Sequence, residues 1–294
     1  MNGIIIVNKE KGMTSHDVIN RIRKIFNTKR VGHLGTLDPL ASGVLVICIN
    51  EATKLVQFLI NHDKEYVARV CLGKMTDTYD LEGKVIEQVK VSNIDEQLAD
   101  KTIESFLGKQ LQMPPIYSSI KVHGKKLYEY ARKNEEVDVM ARQIEIYDIK
   151  RISPYIYQDD CCYFDLAMKV SKGTYIRSLC VDIGKKMGFP SLMFELRRQQ
   201  LGPFTISESY TLTDIEKGNY RLIKMIDALK DLPMVCDDEL VKKASFGMPI
   251  PTDKVMKNFD DTPLRIVICD KDELVAIYDL ERELNYYKAI RVWN

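Results

Sequence analysis

Asp38 is the residue best placed to do chemistry. It lies in R-V-G-H-L-G-T-L-D-P-L-A-S-G, residues 30–43, directly before Pro39 and shortly after His33. Proline pushes the preceding residue out of helical conformation. Gly32, Gly35 and Gly43 permit crowded or left-handed backbone around it. A carboxylate held rigidly on such a loop, beside a histidine and basic residues, can serve as nucleophile or base. Gly, Asp and Pro also build ordinary turns, so spacing alone leaves the turn and the site both open.

Two further groups have suitable residue types. In K-G-T-Y-I-R-S-L, residues 172–179, Tyr175 and Arg177 are two apart. On a strand they point to one face, with Thr174 and Ile176 on the other. Ser178 then caps a helix with Leu179, Ile183 and Met187 on its apolar stripe, ended by Gly188. A buried arginine needs an anion, and Asp38 is the candidate partner. Farther back, Lys121, His123, Lys125, Lys126, Arg132 and Lys133 interleave with Tyr117, Tyr128 and Tyr130. Cations for phosphates and rings for stacking are what looped or single-stranded RNA requires. The acid-rich stretch 73–84 lacks the spacing of a calcium loop and reads as a connection that holds no metal.

The elements that must position these residues follow from periodicity. Residues 3–7 and Val44 to Ile49 are apolar without alternation, as strands covered on both faces are. Thr14 and Asp17 have capping-box spacing ahead of Val18, Ile19, Ile22, Ile25 and Phe26, which recur as one face of a helix. Residues 51–61 read as a helix with Leu55, Phe58 and Leu59 inward. Residues 95–107 read as another, carrying Leu98, Ile103, Phe106 and Leu107. Residues 63–73 alternate, with Tyr66, Ala68 and Val70 on one face. Residues 161–170 alternate through Cys162, Phe164, Leu166, Met168 and Val170. A helical stretch spans roughly 213–230. Short strands follow at 265–269, 274–278 and 289–293, the pattern of a small β barrel.

Composition narrows the class. The chain has 294 residues, 45% of them apolar and 29% charged, which fits one large globular domain with a smaller one. No apolar run approaches the ~18 residues of a membrane span. The run from Ile4 to Val7 is too short for a signal-peptide core. Seven scattered cysteines without zinc spacing, including the vicinal Cys161 and Cys162, read as reduced small hydrophobes of a cytoplasmic protein. The net charge is only +1, yet residues 1–36 hold seven Lys/Arg against two Asp/Glu, and residues 117–133 hold five against one. Residues 233–294 hold nine against twelve, so a polyanion belongs on the first two regions.

The string G-H-L-G-T-L-D-P-L-A-S-G-V-L resembles the catalytic stretch of the bacterial TruB family of tRNA pseudouridine synthases. Four other strings occur in that family's order. They are K-x-x-G-M-T-S at 9–15, T-D-T-x-D-x-x-G at 76–83, P-P-x-Y-S at 114–118 with its basic continuation to Arg132, and G-T-Y-I-R at 173–177. Glu10 stands where the family usually has proline, and His123 where it usually has asparagine.

The resemblance implies an α+β pseudouridine synthase fold. Its mixed, largely antiparallel sheet is flanked by helices and spans residues 1–232, with an RNA-clamping loop at about 114–142. A small PUA-like β module follows at 233–294. It implies isomerisation of uridine 55 in the tRNA T stem-loop, without cofactor, metal, membrane or guide RNA, by a monomeric cytoplasmic enzyme. Asp38 falls on the nucleophile, Tyr66 on the tyrosine that stacks on the base, and Arg177 beside Asp38. Tyr175, Leu196 and Lys9 fall at the substrate site. His33 would fill the gap left by a flipped base, or is a hydrogen-bonded structural residue. Arg30, Lys121, His123, Lys125 and Lys126 would contact RNA. Attack at C1′, attack at C6 and proton abstraction at C2′ all remain open. The other readings are an RNA-binding folding factor without chemistry, a guide-dependent relative, and an aspartate-nucleophile hydrolase.

Overall fold

The computed structural model describes residues 1–118, 120–133, 135–257 and 259–293. Positions 119 and 134 of the expected 114–142 loop lie outside the described residues. The first half of the chain contains β1 (Gly3–Lys9), α1 (Ser15–Ile25), β2 (Val31–His33), β3 (Ala41–Ile49), α2 (Val56–Leu59), β4 (Lys64–Leu72), β5 (Lys74–Thr76), β6 (Val85–Gln88), α3 (Glu96–Glu104) and β7 (Gly108–Gln112). Next come β8 (Lys121–Val122), β9 (Lys125–Lys126), α4 (Leu127–Arg132), β10 (Arg142–Arg151), β11 (Ile156–Gln158), β12 (Cys161–Val170), α5 (Ile176–Met187), β13 (Ser191–Leu201), β14 (Phe204–Thr205) and α6 (Leu212–Glu216). The last part holds β15 (Met234–Val235), α7 (Asp238–Ser245), β16 (Ile250–Pro251), α8 (Thr252–Met256), β17 (Arg265–Asp270), β18 (Glu273–Glu281) and β19 (Tyr286–Val292).

The large sheet runs β1-β3-β13-β4-β12-β10-β7, with β2 added to β3, β14 to β13 and β11 to β12. Only the β3–β13 pairing is parallel among the strand pairs of this sheet, so it is mixed and largely antiparallel. β1 and β3 are apolar throughout because both faces are covered. Ile5, Val7, Leu45 and Ile47 face one core with α1 and α5, whereas Ile4, Ile6, Val44 and Val46 face a second core. That second core also takes in Val267, Leu274, Ile277 and Trp293, so the C-terminal five-stranded sheet (β15-β17-β18-β19-β16) packs against the back of β1 and β3. The Trp293 indole donates to the Glu51 carbonyl at 3.2 Å across this contact.

Several expected elements come out differently. Arg177 lies in the first turn of α5, not on a strand beside Tyr175, and Tyr175 rather than Ser178 occupies the N-cap. A distant residue explains this. The buried amide of Gln112 accepts from the Tyr175 N–H at 2.8 Å and donates to its carbonyl at 3.0 Å, which fixes the helix start. Ser178 Oγ donates instead to the Met113 carbonyl.

The expected helix at 213–230 reduces to α6 and a 3-10 turn at Asp227–Leu229, because the backbone turns left-handed at Gly218 and returns to β1 through an Ile4–Ile223 bridge. The 51–61 helix begins as a 3-10 turn, Asn50–Leu55, before α2. On α3, Ala99 and Ile103 are buried while Leu98 is exposed. The cysteines are not all free. The parallel register of Val235 with Ile268 brings the next residues together, and Cys236 and Cys269 form a disulfide. The other five are free and buried. Among the described residues no helix is long and apolar enough to cross a membrane.

Candidate active site

Asp38 is carried by the loop between β2 and β3, and three buried polar side chains hold that loop by its backbone. Ser15, first residue of α1, donates to the Leu37 carbonyl at 3.1 Å and accepts from the Leu37 N–H at 2.9 Å. Lys9, fully buried at the end of β1, donates to the carbonyls of Glu10, Met13 and Pro39. Arg198, on β13, donates from Nε to the Val44 carbonyl at 2.7 Å and from Nη2 to the Gly35 carbonyl at 3.0 Å. The β13 backbone presses so close at Gly43 that an added Cβ would lie 2.2 Å from the Arg198 carbonyl oxygen, at a φ of +101°. Only glycine fits there. The loop is thus built from outside, and the Asp38 carboxylate projects from it about one-third exposed.

Arg177 reaches Asp38 from α5. Its side chain is 7% exposed, and Nε lies 3.0 Å from Asp38 Oδ2. The Nε–H is not aligned on that oxygen, so the contact is Coulombic rather than a formed hydrogen bond. The other guanidinium nitrogens are well occupied. Nη1 donates to the Thr78 carbonyl at 2.9 Å and lies 3.5 Å from Asp80 Oδ2, while Nη2 donates to the Tyr117 carbonyl at 3.0 Å. Asp80 is itself buried, accepting from Thr78 Oγ1 and the Glu82 N–H. The 73–84 segment therefore contributes a buried counter-ion to the site, which its reading as a mere connection overlooked.

A cavity of about 450 Å³ opens in front of this pair. Asp38, Tyr66, Arg177, His33, Tyr175 and Leu196 all line it. Tyr66 and Leu196 are both 7% exposed, from adjacent antiparallel strands β4 and β13. Burial pushes the Tyr175 phenol above its ordinary value, so it stays protonated. His33 accepts from the Gly35 N–H at Nδ1, which places its proton on Nε2. Burial, then the Arg198 charge, holds it below the usual histidine range.

Lys9 is not in the cavity. With three carbonyl acceptors it is buried beneath the loop, tied to the Pro39 carbonyl next to Asp38. Arg30 is exposed and paired with Glu51. Lys121, His123, Lys125 and Lys126 belong to the β8–β9 hairpin, with His123 and Gly124 left-handed at its tip. Lys125 and Lys126 lie over the rings of Tyr130 and Tyr128, 5.5 and 5.4 Å from their centroids. Tyr117 and Tyr128 reach the cavity from the same segment. Sequence reasoning missed Asp80, Lys64 and Arg198. Arg197 and Arg198 differ only in parity along β13, and nothing local tells which of the two turns inward.

Comparison with known proteins finds relatives along the whole chain. Residues 23–176 match the family model described as TruB family pseudouridylate synthase (N terminal domain), and residues 177–232 match that of the tRNA pseudouridylate synthase B C-terminal domain. The chain is 41% identical to a tRNA pseudouridine synthase B of Staphylococcus saprophyticus over 100% of this chain and 99% of that one. It is also 41% identical to the protein of that name from Bacillus pumilus, over 95% and 93%. Among solved structures, it superposes on a chain of an H/ACA RNP bound to a substrate RNA containing 2'-deoxyuridine. That match has a TM-score of 0.70 and 25% identity, over 99% of this chain and 85% of the other. A Cbf5-Nop10-Gar1 complex gives a TM-score of 0.70 and 26% identity, over 99% and 84%.

Proposed function

The chain belongs to the TruB family of pseudouridylate synthases, and we propose that it converts uridine 55 in the T-loop of tRNA to pseudouridine with Asp38 as nucleophile. The observation that carries this reading is the Asp38–Arg177 pair, 3.0 Å apart, at the head of a cavity walled by Tyr66, Tyr175, Leu196 and His33.

The reaction breaks the N1–C1′ bond, rotates the base and joins C5 to C1′. The proton on C5 is lost and N1 gains one, so no electrons are exchanged with a partner. The target base stacks inside a folded loop and must be flipped out to reach a carboxylate. Tyr66 receives its face, with Tyr175 and Leu196 closing the pocket. His33, neutral and oriented by Gly35, occupies the space the base vacates. Asp38 then attacks the sugar at C1′ or the base at C6, or removes a proton at C2′. Arg177 lies against the carboxylate and orients it, and Asp80 offsets the burial of a lone guanidinium.

In this reading residues 1–232 are the catalytic domain, 233–294 a PUA-like module, and the segment about 114–142 clamps the stem-loop. Arg30, Lys121, His123, Lys125 and Lys126 meet RNA phosphates and bases. The enzyme acts as a cytoplasmic monomer without a guide RNA. Relatives at 41% identity, named for tRNA, support direct recognition over the partner-dependent assemblies among the structural neighbours.

The test incubates unmodified tRNA transcript with purified protein and maps pseudouridine by carbodiimide adduct and primer-extension stop. A stop at position 55, absent with Asp38→Asn, is expected. Tight binding with no stop would replace this reading with that of an RNA-folding factor.

A further inference from the structure

One end of the cavity carries more positive charge than the Asp38 end uses. Lys64 is two residues before Tyr66 on β4, so its side chain leaves the strand on the same face and lines the same cavity. It is 9% exposed. Its ammonium donates to the His62 carbonyl at 2.6 Å, and none of the ion pairs among the described residues includes it. Lys172 stands at the rim of that end, donating to Asn61 Oδ1 at 2.5 Å, also without a carboxylate partner. Arg198, buried in the wall of the same cavity, has its donors turned to the carbonyls of Val44, Gly35 and Thr36. All three cations thus rest on neutral oxygens.

Burying an ammonium against carbonyls alone is costly, and an anion arriving there recovers that cost. Uracil and ribose are neutral and do not call for it. A flipped nucleotide, however, brings its own phosphodiesters to the cavity mouth. We propose that Lys64 and Lys172 form a clamp for a phosphodiester flanking the flipped uridine, with Arg198 supplying field but no contact. This rests on the cavity being the uridine site. Burial first, then Arg198 and Lys172, bring the Lys64 ammonium down to about 8 against the opposing pull of Asp63. A phosphate seated on it would restore the proton, so RNA binding above pH 8 takes up a proton at this site.

The test uses a T-stem-loop RNA with a neutral methylphosphonate at the phosphate 5′ or 3′ to the target uridine. For the all-phosphate RNA, Lys64→Met is expected to weaken binding about ten- to hundredfold, as loss of a charge-assisted hydrogen bond does. It should also lower the salt slope by about one. One of the two methylphosphonates should weaken wild-type binding by a similar factor and leave Lys64→Met unchanged. Lys172→Met, at the exposed rim, should show the same pattern at smaller size, and it serves if Lys64→Met melts early. Calorimetry at pH 8.5 in buffers of different ionisation enthalpy should show proton uptake by wild type and none by Lys64→Met. If both variants and the neutral linkages weaken binding additively at both positions, the clamp is refuted. Conversion of the unmodified RNA by the wild type is read in parallel. Its absence would defeat the uridine-site reading, whereas conversion together with additivity would defeat the clamp alone.

Discussion

Asp80 and Arg177 are buried together, each side chain 7% exposed, with 3.5 Å between Oδ2 and Nη1. Arg177 thus stands between two carboxylates, one sealed inside and one, Asp38, facing the cavity. The inner acid anchors the guanidinium and leaves Nε for the outer one. Asp80→Asn keeps the shape and removes the charge. It is expected to lower turnover while leaving RNA affinity within about threefold, since it acts on the positioning of Asp38 and not on substrate contact. Arg177→Ala, which strands a buried carboxylate, should in addition destabilise by about 3–5 kcal/mol. Single-turnover rates and denaturant melts of both variants check this. An Asp80→Asn enzyme with wild-type turnover would remove Asp80 from the site.

Asp38→Asn should abolish conversion, by at least about a thousandfold, because an amide supplies neither nucleophile nor base. The substitution changes one partly exposed group on a loop held by Ser15, Lys9 and Arg198. The melting curve should therefore stay close to wild type, and the RNA should still bind. Residual conversion at a tenth of the wild-type rate would rule out Asp38 as the reacting group.

Gly43 meets the backbone of Arg198 in the parallel β3–β13 register. Gly43→Ala would put a methyl 2.2 Å from a carbonyl oxygen, at a φ of +101°, in a place where backbone and not a side chain must yield. A loss of at least about 3 kcal/mol is expected from strain and displaced strand pairing together. Urea unfolding measures it directly. A cost below about 1 kcal/mol would mean that the two strands are not held so tightly.

Much of this architecture was legible in the sequence, and the failures share one cause. The capping box of Thr14 and Asp17, the doubly buried β1 and β3 and the alternating β4 and β12 are local patterns, and they form as the pattern indicates. Asp38 was legible because glycine and proline restrict their own neighbourhood. Arg177 was assigned the right partner on the wrong element. Four alternating residues read as strand, but Gln112, some sixty positions away, fixes Tyr175 as the start of a helix. Asp80, Lys64 and Arg198 were missed for the same reason. Each is a polar side chain whose burial makes sense only once a distant carbonyl or counter-ion is brought to it. The Cys236–Cys269 bond likewise depends on the β15–β17 register, which no spacing rule encodes.

The hairpin cations provide a separate test of where the RNA backbone runs. Lys125 and Lys126 sit over tyrosine rings, and among the described residues the one ion pair of Lys125 is with the Glu135 carboxylate at 4.0 Å. Replacing each by Ala should lower the slope of log K against log salt by about one. Fold stability should be little changed, since surface pairs contribute little. Titrations between low and moderate salt read this out. An unchanged slope in the double variant would place the phosphates elsewhere.

Lys9 gives the fold a pH signature of its own. Burial, outweighing the attraction of Asp38, brings its ammonium down to about 8 from an ordinary 10.5. Between those values the folded chain has released a proton that the unfolded chain still binds. Stability therefore rises with pH across this window, so the gain is complete above about 10.5 and is lost once the pH has dropped to about 8. Lys64 is lowered to about 8 as well and adds to the same rise. Lys9→Met removes the charge and keeps the stem, so it should flatten part of the rise. It also deletes the donor to the Pro39 carbonyl, and with it one of the three ties on the Asp38 loop. The expected variant is less dependent on pH between 8 and 10, folded, and slower in turnover. Urea midpoints at pH 7, 8, 9 and 10 for both proteins decide it. Parallel curves would show that Lys9 keeps its ordinary protonation inside the fold.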